Sequence, residues 1–97
     1  MEFSAPLKNG FTIYSKSGCY NCIKVKTLLA DAKYEFVVID CDDYLFEDKE
    51  GFLLFIKERA KKEHKTFPMV FIDGQFIGGF IETQQWVNKD SCFNDDF

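Results

Sequence analysis

Residues 11–22, FTIYSKSGCYNC, place a short apolar strand, a polar loop and two cysteines in direct succession. The β-branched and aromatic run 11–14 lies between Gly10 and a Ser-Lys-Ser-Gly loop, which is typical of a buried strand. From about Tyr20 to Ala32, apolar residues recur with helical spacing and no glycine or proline interrupts them. This stretch therefore predicts a strand, a loop and a helix that begins at the cysteine pair.

The rest of the chain alternates between short apolar runs and longer stretches with helical spacing. The predicted elements are a strand at 34–39, a helix at 47–64, strands at 68–72 and 75–77 around an Asp73-Gly74 hairpin turn, a short helix at 82–89 and a loose acidic tail at 90–97. The order β-α-β-α-β-β-α predicts an α/β fold in which helices flank a mixed four-stranded sheet. We expect a single domain over residues 1–97, with its core at about 10–90 and a lead-in at 1–9.

The composition is that of an ordinary globular domain. The chain has 97 residues, of which 46% are hydrophobic and 29% charged, and its net charge of −4 argues against a nucleic-acid partner. No run of about 18 apolar residues is present, which argues against a membrane span, and the first ten residues lack the pattern of a secretory signal. The four cysteines could form two disulfide bridges, but nothing points to a secreted chain, so we expect a reducing, cytoplasmic compartment.

Cys19 and Cys22 form a C-x-x-C pair at the point where the loop meets the predicted helix. The free N–H groups of the first helical turn point at the Cys19 sulfur, and Lys16 adds a positive charge, so both favour the thiolate. In such positions a cysteine pKa falls from about 8.5 into a range of roughly 3.5–7.5. We therefore expect Cys19 to attack a substrate disulfide and Cys22, one turn into the helix, to resolve the resulting mixed disulfide. A C-x-x-C within a βαβ pattern is a strong indication of redox chemistry.

The same pair could instead form half of a zinc site, but zinc needs a second pair at suitable spacing. The other candidate ligands, Cys41, His64 and Cys92, are scattered singly along the chain. We interpret Cys41 and Cys92 as packing or surface thiols, with a redox-sensing or dimer-forming role as the alternative. His64 is predicted to be solvated at the polar end of the second helix.

Two further motifs allow more than one interpretation. In the run 66–68, Thr-Phe-Pro, a cis bond would leave the backbone of Phe67 free to pair with an extended ligand, whereas a trans proline would merely start an edge strand. Only about 5–6% of X–Pro bonds are cis, so the residues alone favour trans. In the run 78–82, Gly-Gly-Phe-Ile-Glu, the glycines permit close ligand approach and helical amides could face a carboxylate, or the run is an ordinary turn.

Together, TIYSKSGCYNC and TFPMVFIDGQFIGGFIET resemble the glutaredoxin family of thioredoxin-fold proteins, and the similarity covers about residues 10–90. The resemblance implies a thioredoxin-like fold, a cis bond before Pro68, and a first cysteine that attacks glutathione-mixed disulfides. It also implies a set of glutathione contacts at Lys16, Tyr20, Thr66, Phe67, Pro68, Gly79, Phe80, Ile81 and Glu82. Lys57, Arg59 and Lys65 are candidates for a further contact, to the glycyl carboxylate.

The chain departs from the family pattern at three places. Tyr20-Asn21 replaces the usual Pro-Tyr between the cysteines, which restores an N–H and implies a different redox potential. Phe67 replaces a valine and makes the groove wall bulkier, and Glu82 stands where the family usually has aspartate. The carboxylate at position 82 is expected to bind the α-amino group of the γ-glutamyl unit.

The resemblance thus implies a dithiol glutaredoxin, a thiol-disulfide oxidoreductase that uses glutathione as co-substrate and needs no metal. Its expected partners are glutathione and proteins that are glutathionylated or carry disulfides, with ribonucleotide reductase implied only by the family, and the chain is expected to be a monomer. Two alternatives stay open. One is a glutathione-anchored [2Fe–2S] carrier, although Cys22 excludes the monothiol subgroup, and the other is a thioredoxin-like reductase that does not use glutathione.

Overall fold

The computed structural model describes residues 2–94, and the side chains of residues 2–90. Seven elements follow one another along the chain: β1 Phe11–Ser15, α1 Tyr20–Asp31, β2 Phe36–Asp40, α2 Asp42–Ala60, β3 Met69–Ile72, β4 Gln75–Gly78 and α3 Phe80–Asn94. The predicted order β-α-β-α-β-β-α is therefore confirmed, and the first helix begins at the cysteine pair as expected.

The four strands form one mixed sheet in the order β2-β1-β3-β4. Strand β1 pairs in parallel with β2 and antiparallel with β3, and β3 pairs antiparallel with β4. The hairpin turn between β3 and β4 has positive φ at both Asp73 (52°) and Gly74 (81°), as a two-residue turn that matches the strand twist requires. The predicted mixed sheet and its Asp-Gly turn are confirmed.

The sheet separates two hydrophobic clusters. Phe11 and Ile13 of β1 pack with α1 and α3 on one face, whereas Tyr14 packs with α2 on the other. Every residue of β1 is buried, because this central strand is covered on both faces. The polar residues Thr12 and Ser15 are buried with the apolar ones, and the Thr12 hydroxyl accepts the N–H of Leu7 at 2.9 Å.

Helix α2 differs from its predicted range of 47–64. It begins five residues earlier, where the Asp40 carboxylate accepts the N–H of Asp42 at 3.0 Å, and it kinks at Asp48, whose φ and ψ are −156° and 69°. The Asp48 carboxylate accepts the N–H of Gly51 at 3.0 Å, which caps the second segment of the helix. The predicted start at residue 47 thus coincides with this internal cap.

The end of α2 is also earlier than predicted. Lys61 adopts a left-handed conformation with φ of 63° and donates its N–H to the Lys57 carbonyl at 2.9 Å, which closes the helix after Ala60. Lys62, His64 and Lys65 consequently belong to the loop before β3. The prediction that residue 64 lies in the helix is wrong.

Helix α3 is longer than the short helix predicted at 82–89, since it starts at Phe80 and runs to Asn94. The prediction of a loose tail from residue 90 is therefore wrong for 90–94, and residues 95–97 lie outside the described residues. The hydroxyl of Tyr34, in the turn after α1, donates to the Asp90 carboxylate. This hydrogen bond ties the last turns of the helix to the body of the domain.

The N-terminal lead-in packs against α2. Phe3 makes edge-to-face contacts with Tyr44 and Phe52, at ring-centroid distances of 5.0 and 5.6 Å. The Tyr14 hydroxyl donates to the Ser4 carbonyl at 2.6 Å. Residues before β1 are thus part of the second hydrophobic cluster.

Phe52 is the residue at which this cluster can best be tested. Its side chain is fully buried and its ring contacts those of Phe3, Tyr14 and Phe67, so Phe52→Ala leaves a cavity and should lower the free energy of unfolding by about 3–5 kcal/mol. Urea denaturation measures the change. Phe46→Ala is the matched control, because Phe46 is 89% exposed and its loss should cost less than about 0.5 kcal/mol. Equal losses for the two variants would contradict this packing.

Candidate active site

Cys19 is the N-cap residue of α1, and its Sγ accepts the N–H of Cys22 at 3.1 Å. The two sulfurs are joined as a disulfide, with their Cα atoms 5.2 Å apart. A sulfur in this position faces the positive end of the helix dipole, which favours a negative charge on it. The predicted redox-active pair is therefore present with the expected helix geometry.

The two cysteines differ in accessibility. Cys19 is partly exposed, whereas Cys22 is 1% exposed and points into the fold. An incoming molecule can consequently reach the sulfur of Cys19 but not that of Cys22. An open groove of about 350 Å³ between α1 and β2 lies beside Cys19 and is lined by Ile23, Lys26 and Val38, so there is room for a substrate next to the sulfur.

The loop that leads to Cys19 is held by the start of α2. The Asp42 carboxylate accepts both the hydroxyl and the N–H of Ser17, the latter at 2.9 Å. These hydrogen bonds, with a smaller contribution from the charge of Lys16, hold the pKa of Asp42 below its usual value. Sequence analysis missed this contact. The predicted parallel pairing of β1 and β2 could have indicated it. The two strands end side by side at Ser15 and Asp40, so the residues that follow them lie close together.

The loop before β3 lies opposite the loop that carries Lys16. The Phe67–Pro68 bond is cis, as the resemblance implies. The ring of Phe67 stacks on that of Phe52 at a centroid distance of 6.2 Å, and the Lys16 ammonium lies 5.5 Å from the Phe67 ring centroid. Phe67 therefore forms a wall against which the Lys16 side chain rests.

The start of α3 forms the third side of the site. The Gly79 N–H donates to Oε1 of Glu82 at 2.8 Å, which is the reciprocal half of a capping box. Hydrogen bonds from the N–H groups of Gly79 and of Glu82 itself hold the pKa of Glu82 below its usual value. Gly78 has a φ of 139°, and a Cβ there would stand 2.7 Å from Cγ of Glu82, so only glycine fits.

The sheet brings these three segments to one edge. In the strand register Tyr14 faces Met69 and Val70 faces Gly78, so β1 ends, β3 begins and β4 ends side by side. The start of α3 therefore lies close to the loop before β3: a Cβ placed on Gly79 would stand 3.6 Å from the Pro68 carbonyl oxygen.

Tyr20 and Phe80 are linked across the site through Lys24, whose ammonium lies 5.3 and 4.4 Å from their ring centroids. Tyr20 and Ile81 are well exposed, at 73% and 55%. The segments that hold the nine predicted contact residues therefore lie next to one another near Cys19.

Sequence analysis placed His64 at the solvated, polar end of the second helix. The residue lies in the loop before β3, where it is partly exposed and its Nε2 lies 3.5 Å from Oγ1 of Thr66. Its ring meets that of Phe76 edge to face, at a centroid distance of 5.0 Å. Because position 64 was predicted to lie within a helix, the turn that brings it beside the site could not be seen in the sequence.

Cys41 is not part of the site. Cys41 is fully buried, and burial raises the pKa of its thiol to about 12, so the prediction of a packing thiol is confirmed for this residue. The side chain of Cys92 lies outside the described residues. Within residues 2–90 no group of three or more histidine, cysteine, aspartate or glutamate side chains could hold a metal ion. None of the described helices is both long and apolar enough to span a membrane.

Comparison with known sequences identifies similar proteins. A sequence model of the Glutaredoxin family matches residues 11–77. Glutaredoxin 1 of Escherichia coli (strain K12) is 30% identical over 84 residues, which covers 79% of this chain and 91% of that protein. Glutaredoxin 1 of Rickettsia conorii is 36% identical over 67 residues and covers 69% of this chain and 61% of that protein.

Solved structures show the same similarity. Glutaredoxin 1 from Francisella tularensis, determined in complex with cacodylate, has a TM-score of 0.71 at 28% identity and covers 87% of this chain and 95% of its own. A buckwheat glutaredoxin–glutathione complex has a TM-score of 0.67 at 23% identity and covers 89% of this chain and 74% of its own. These neighbours confirm the thioredoxin-like fold.

The Lys16 ammonium lines the groove beside Cys19, so its charge should stabilise the thiolate. In Lys16→Ala we expect the midpoint of the pH profile for iodoacetamide alkylation of reduced Cys19 to rise by about half a pH unit. Lys33→Ala, which removes an exposed charge beyond the far end of α1, is the control and should leave the profile in place. An unchanged profile in Lys16→Ala would count against an electrostatic role.

The capping carboxylate of Glu82 should make stability depend on pH. Because its pKa is lowered in the folded chain, its contribution is present above the unfolded pKa of about 4.3 and is lost as the pH falls through the folded value. Glu82→Gln should therefore lower the free energy of unfolding by about 0.3–1 kcal/mol at pH 7 and by nothing at pH 2.5. Urea denaturation at both pH values measures this, with the exposed Glu35→Gln as control. A difference that persists at pH 2.5 would refute the electrostatic explanation.

Proposed function

The chain belongs to the glutaredoxin family, and on that premise we propose that it uses glutathione to reduce glutathione-mixed disulfides and protein disulfides through Cys19 and Cys22. As a glutaredoxin it is a thiol-disulfide oxidoreductase. The observation that carries the proposal is the accessible Cys19 sulfur, capped by a helix N-terminus and joined to a buried Cys22.

The first step is attack by Cys19. Its thiolate displaces one sulfur of the substrate disulfide, a mixed disulfide forms on Cys19, and the leaving sulfur departs as a thiolate that takes a proton from water. The N–H of Cys22, which donates to the Cys19 sulfur, stabilises the attacking anion before the reaction. Cys19 is the proposed nucleophile because its sulfur is the accessible one of the pair.

The second step depends on the substrate. When Cys19 carries glutathione, a glutathione thiolate attacks the glutathione sulfur, releases Cys19 as the thiolate and leaves as glutathione disulfide. When Cys19 carries a protein, Cys22 attacks the Cys19 sulfur and releases the reduced protein, which leaves the Cys19–Cys22 disulfide found in the structure. Two glutathione molecules then reduce that disulfide: they supply the two electrons and leave as glutathione disulfide.

The proposed glutathione site is the surface that the loop with Lys16, the loop before β3 and the start of α3 form beside Cys19. The backbone of Phe67 would pair with the cysteinyl unit, Lys16 would neutralise a carboxylate, and the first amides of α3 with Glu82 would receive the γ-glutamyl end. The support is that three separate loops converge on one edge of the sheet and that buckwheat glutaredoxin, which has the same fold, is solved with glutathione. The remaining proposed contacts are Tyr20, Thr66, Pro68, Gly79, Phe80 and Ile81.

The proposed substrates follow from the same chemistry. They are glutathionylated proteins and proteins with an accessible disulfide, among which ribonucleotide reductase is implied by the family. A glutathione-dependent reductase works where the glutathione pool is reduced, so we place the chain in the cytoplasm. Lys57 and Lys65, which line a depression beside His64, are the proposed partners of the glycyl carboxylate.

The two cysteines should have separable functions. Cys19→Ser should abolish both deglutathionylation and protein disulfide reduction, because no other described thiol is both accessible and activated. Cys22→Ser should keep deglutathionylation of a glutathionylated peptide while losing reduction of a protein disulfide, because only the latter needs the resolving thiol. Both are measured in an assay coupled to glutathione reductase.

The Cys41→Ser variant controls for the effect of removing any thiol and should behave like the unmodified chain in both assays, since Cys41 is buried. Residual turnover in Cys19→Ser would overturn the assignment of the nucleophile. Equal loss of both activities in Cys22→Ser would show that Cys22 does more than resolve.

A further inference from the structure

The open groove beside Cys19 lies on the β2 side of the sheet, whereas the proposed glutathione surface lies on the side of β3 and α3. The lining of the groove includes Ile23, Lys26 and Val38, and it contains no residue of the loop before β3 or of α3. Ile23 and Val38 are apolar and yet 60% and 42% exposed. The reactive cysteine therefore borders two surfaces, and the proposed glutathione contacts leave this groove unoccupied.

Strand β2 presents open backbone groups along the groove. It lies at the edge of the sheet, and within the described residues only β1 pairs with it. Cys41, directly after β2, donates its N–H to Ser15 of β1. Because successive residues of a strand direct their N–H and C=O groups to opposite sides, those of Val38 and Asp40 point away from β1. Both residues also line the groove, so an added strand could pair with them there.

The edge lacks the features with which proteins usually protect an exposed strand. Residues 36–40, FVVID, contain no lysine and no proline. Their one charge belongs to Asp40, whose carboxylate already accepts the N–H of Asp42. Val37, on the opposite face of the strand from Val38, is 40% exposed as well. Such an edge is a template for pairing with another extended chain.

We propose that β2 and this groove form the docking site for the protein substrate, whose segment around the reacting cysteine binds as an additional extended strand. The inference rests on the proposed function, since the occupant is the disulfide-bearing protein that Cys19 attacks. Backbone hydrogen bonds to Val38 hold the segment whatever its sequence. An apolar side chain two residues from the cysteine of the segment lies on the same face as that cysteine and meets Ile23 and Val38.

The charges of the groove add a preference for acidic segments. Its described lining contains Lys16, Lys26 and Asp40, which gives two cations and one anion in a chain whose net charge is −4. The Asp40 carboxylate is already hydrogen-bonded to the start of α2. A substrate segment that carries acidic side chains beside its apolar ones therefore complements this surface.

The test uses the full chain with Cys22→Ser and Cys92→Ser, in which a mixed disulfide stays on Cys19 because Cys41 is buried. The probe is the acetylated and amidated peptide Glu-Val-Thr-Cys-Thr-Val-Glu. Its thiolate attacks the Cys19 sulfur of the glutathione adduct, a disulfide forms between Cys19 and the peptide, and glutathione leaves as a thiolate. Mass spectrometry after an acid quench gives the equilibrium constant of this exchange.

The variants separate the groove from the rest of the strand. Val38→Glu should lower the constant about three- to tenfold, because it removes the apolar contact and puts a negative charge in the groove. Val38→Pro should lower it by about the same factor, because proline has no N–H to donate and no hydrogen bond to β1 is lost. Val37→Glu is the matched control, since Val37 is equally exposed on the other face, and should change the constant less than about twofold.

Amide hydrogen exchange gives a readout that a purely structural effect would not move. In the peptide adduct the N–H of Val38 should exchange at least about tenfold more slowly than in the glutathione adduct. The N–H of Ile39 points to β1 and should be equally protected in both adducts.

The outcomes distinguish this inference from the proposed function. Equal exchange of the Val38 N–H in the two adducts, or equal effects of Val38→Glu and Val37→Glu, would overturn the docking site alone. Protection of Val38 in the glutathione adduct that disappears on dilution would also overturn it, because a second copy of the chain would then occupy the edge. Turnover of a glutathionylated peptide by the unmodified chain, coupled to glutathione reductase, tests the proposed function separately. Its absence would overturn that function, and the docking site with it.

Discussion

The hydrogen bond from the Cys22 amide to the Cys19 sulfur is the interaction on which the chemistry of this chain depends. It exists because a fully buried strand ends at Ser15 and a helix starts at Tyr20, so that a four-residue loop must deliver one sulfur to the amides of the first turn. The same helix turns the second sulfur inward. The same local geometry thus stabilises a negative charge on Cys19 and leaves it accessible, whereas Cys22 is buried.

The binding surface depends on the sheet rather than on any one loop. Because β3 and β4 run antiparallel to each other and β1 pairs with β3, the end of β1, the start of β3 and the end of β4 share an edge. Residues that lie far apart in the sequence therefore meet at this edge. The ring of Phe67 stacks on that of Phe52, which connects this surface to the core under α2.

Much of this could be predicted from sequence, because the strand-loop-helix around Cys19 and the Asp-Gly hairpin are encoded by residues close together. The cis bond before Pro68 required the resemblance, since statistics alone favour trans. The ends of α2 could not be found from sequence. Its N-cap residue, Cys41, makes no side-chain cap hydrogen bond, and its C-terminus depends on the left-handed conformation of Lys61. As a result, the sequence prediction placed His64 in a helix, although it lies in the loop before β3.

Burial of Cys41 has a consequence for the oxidised protein. Cys41 directly follows β2, which pairs with β1, the strand that leads into the loop with Cys19. Its backbone N–H donates to the Ser15 carbonyl at 2.8 Å. An accessible thiol at this position would compete with Cys22 for a disulfide with Cys19. The Cys41 thiol is instead fully buried and its pKa is raised to about 12, so it does not ionise and attack. Among the cysteines whose side chains the structure describes, oxidation is thereby directed to the Cys19–Cys22 bridge, and Cys41 takes no part in it.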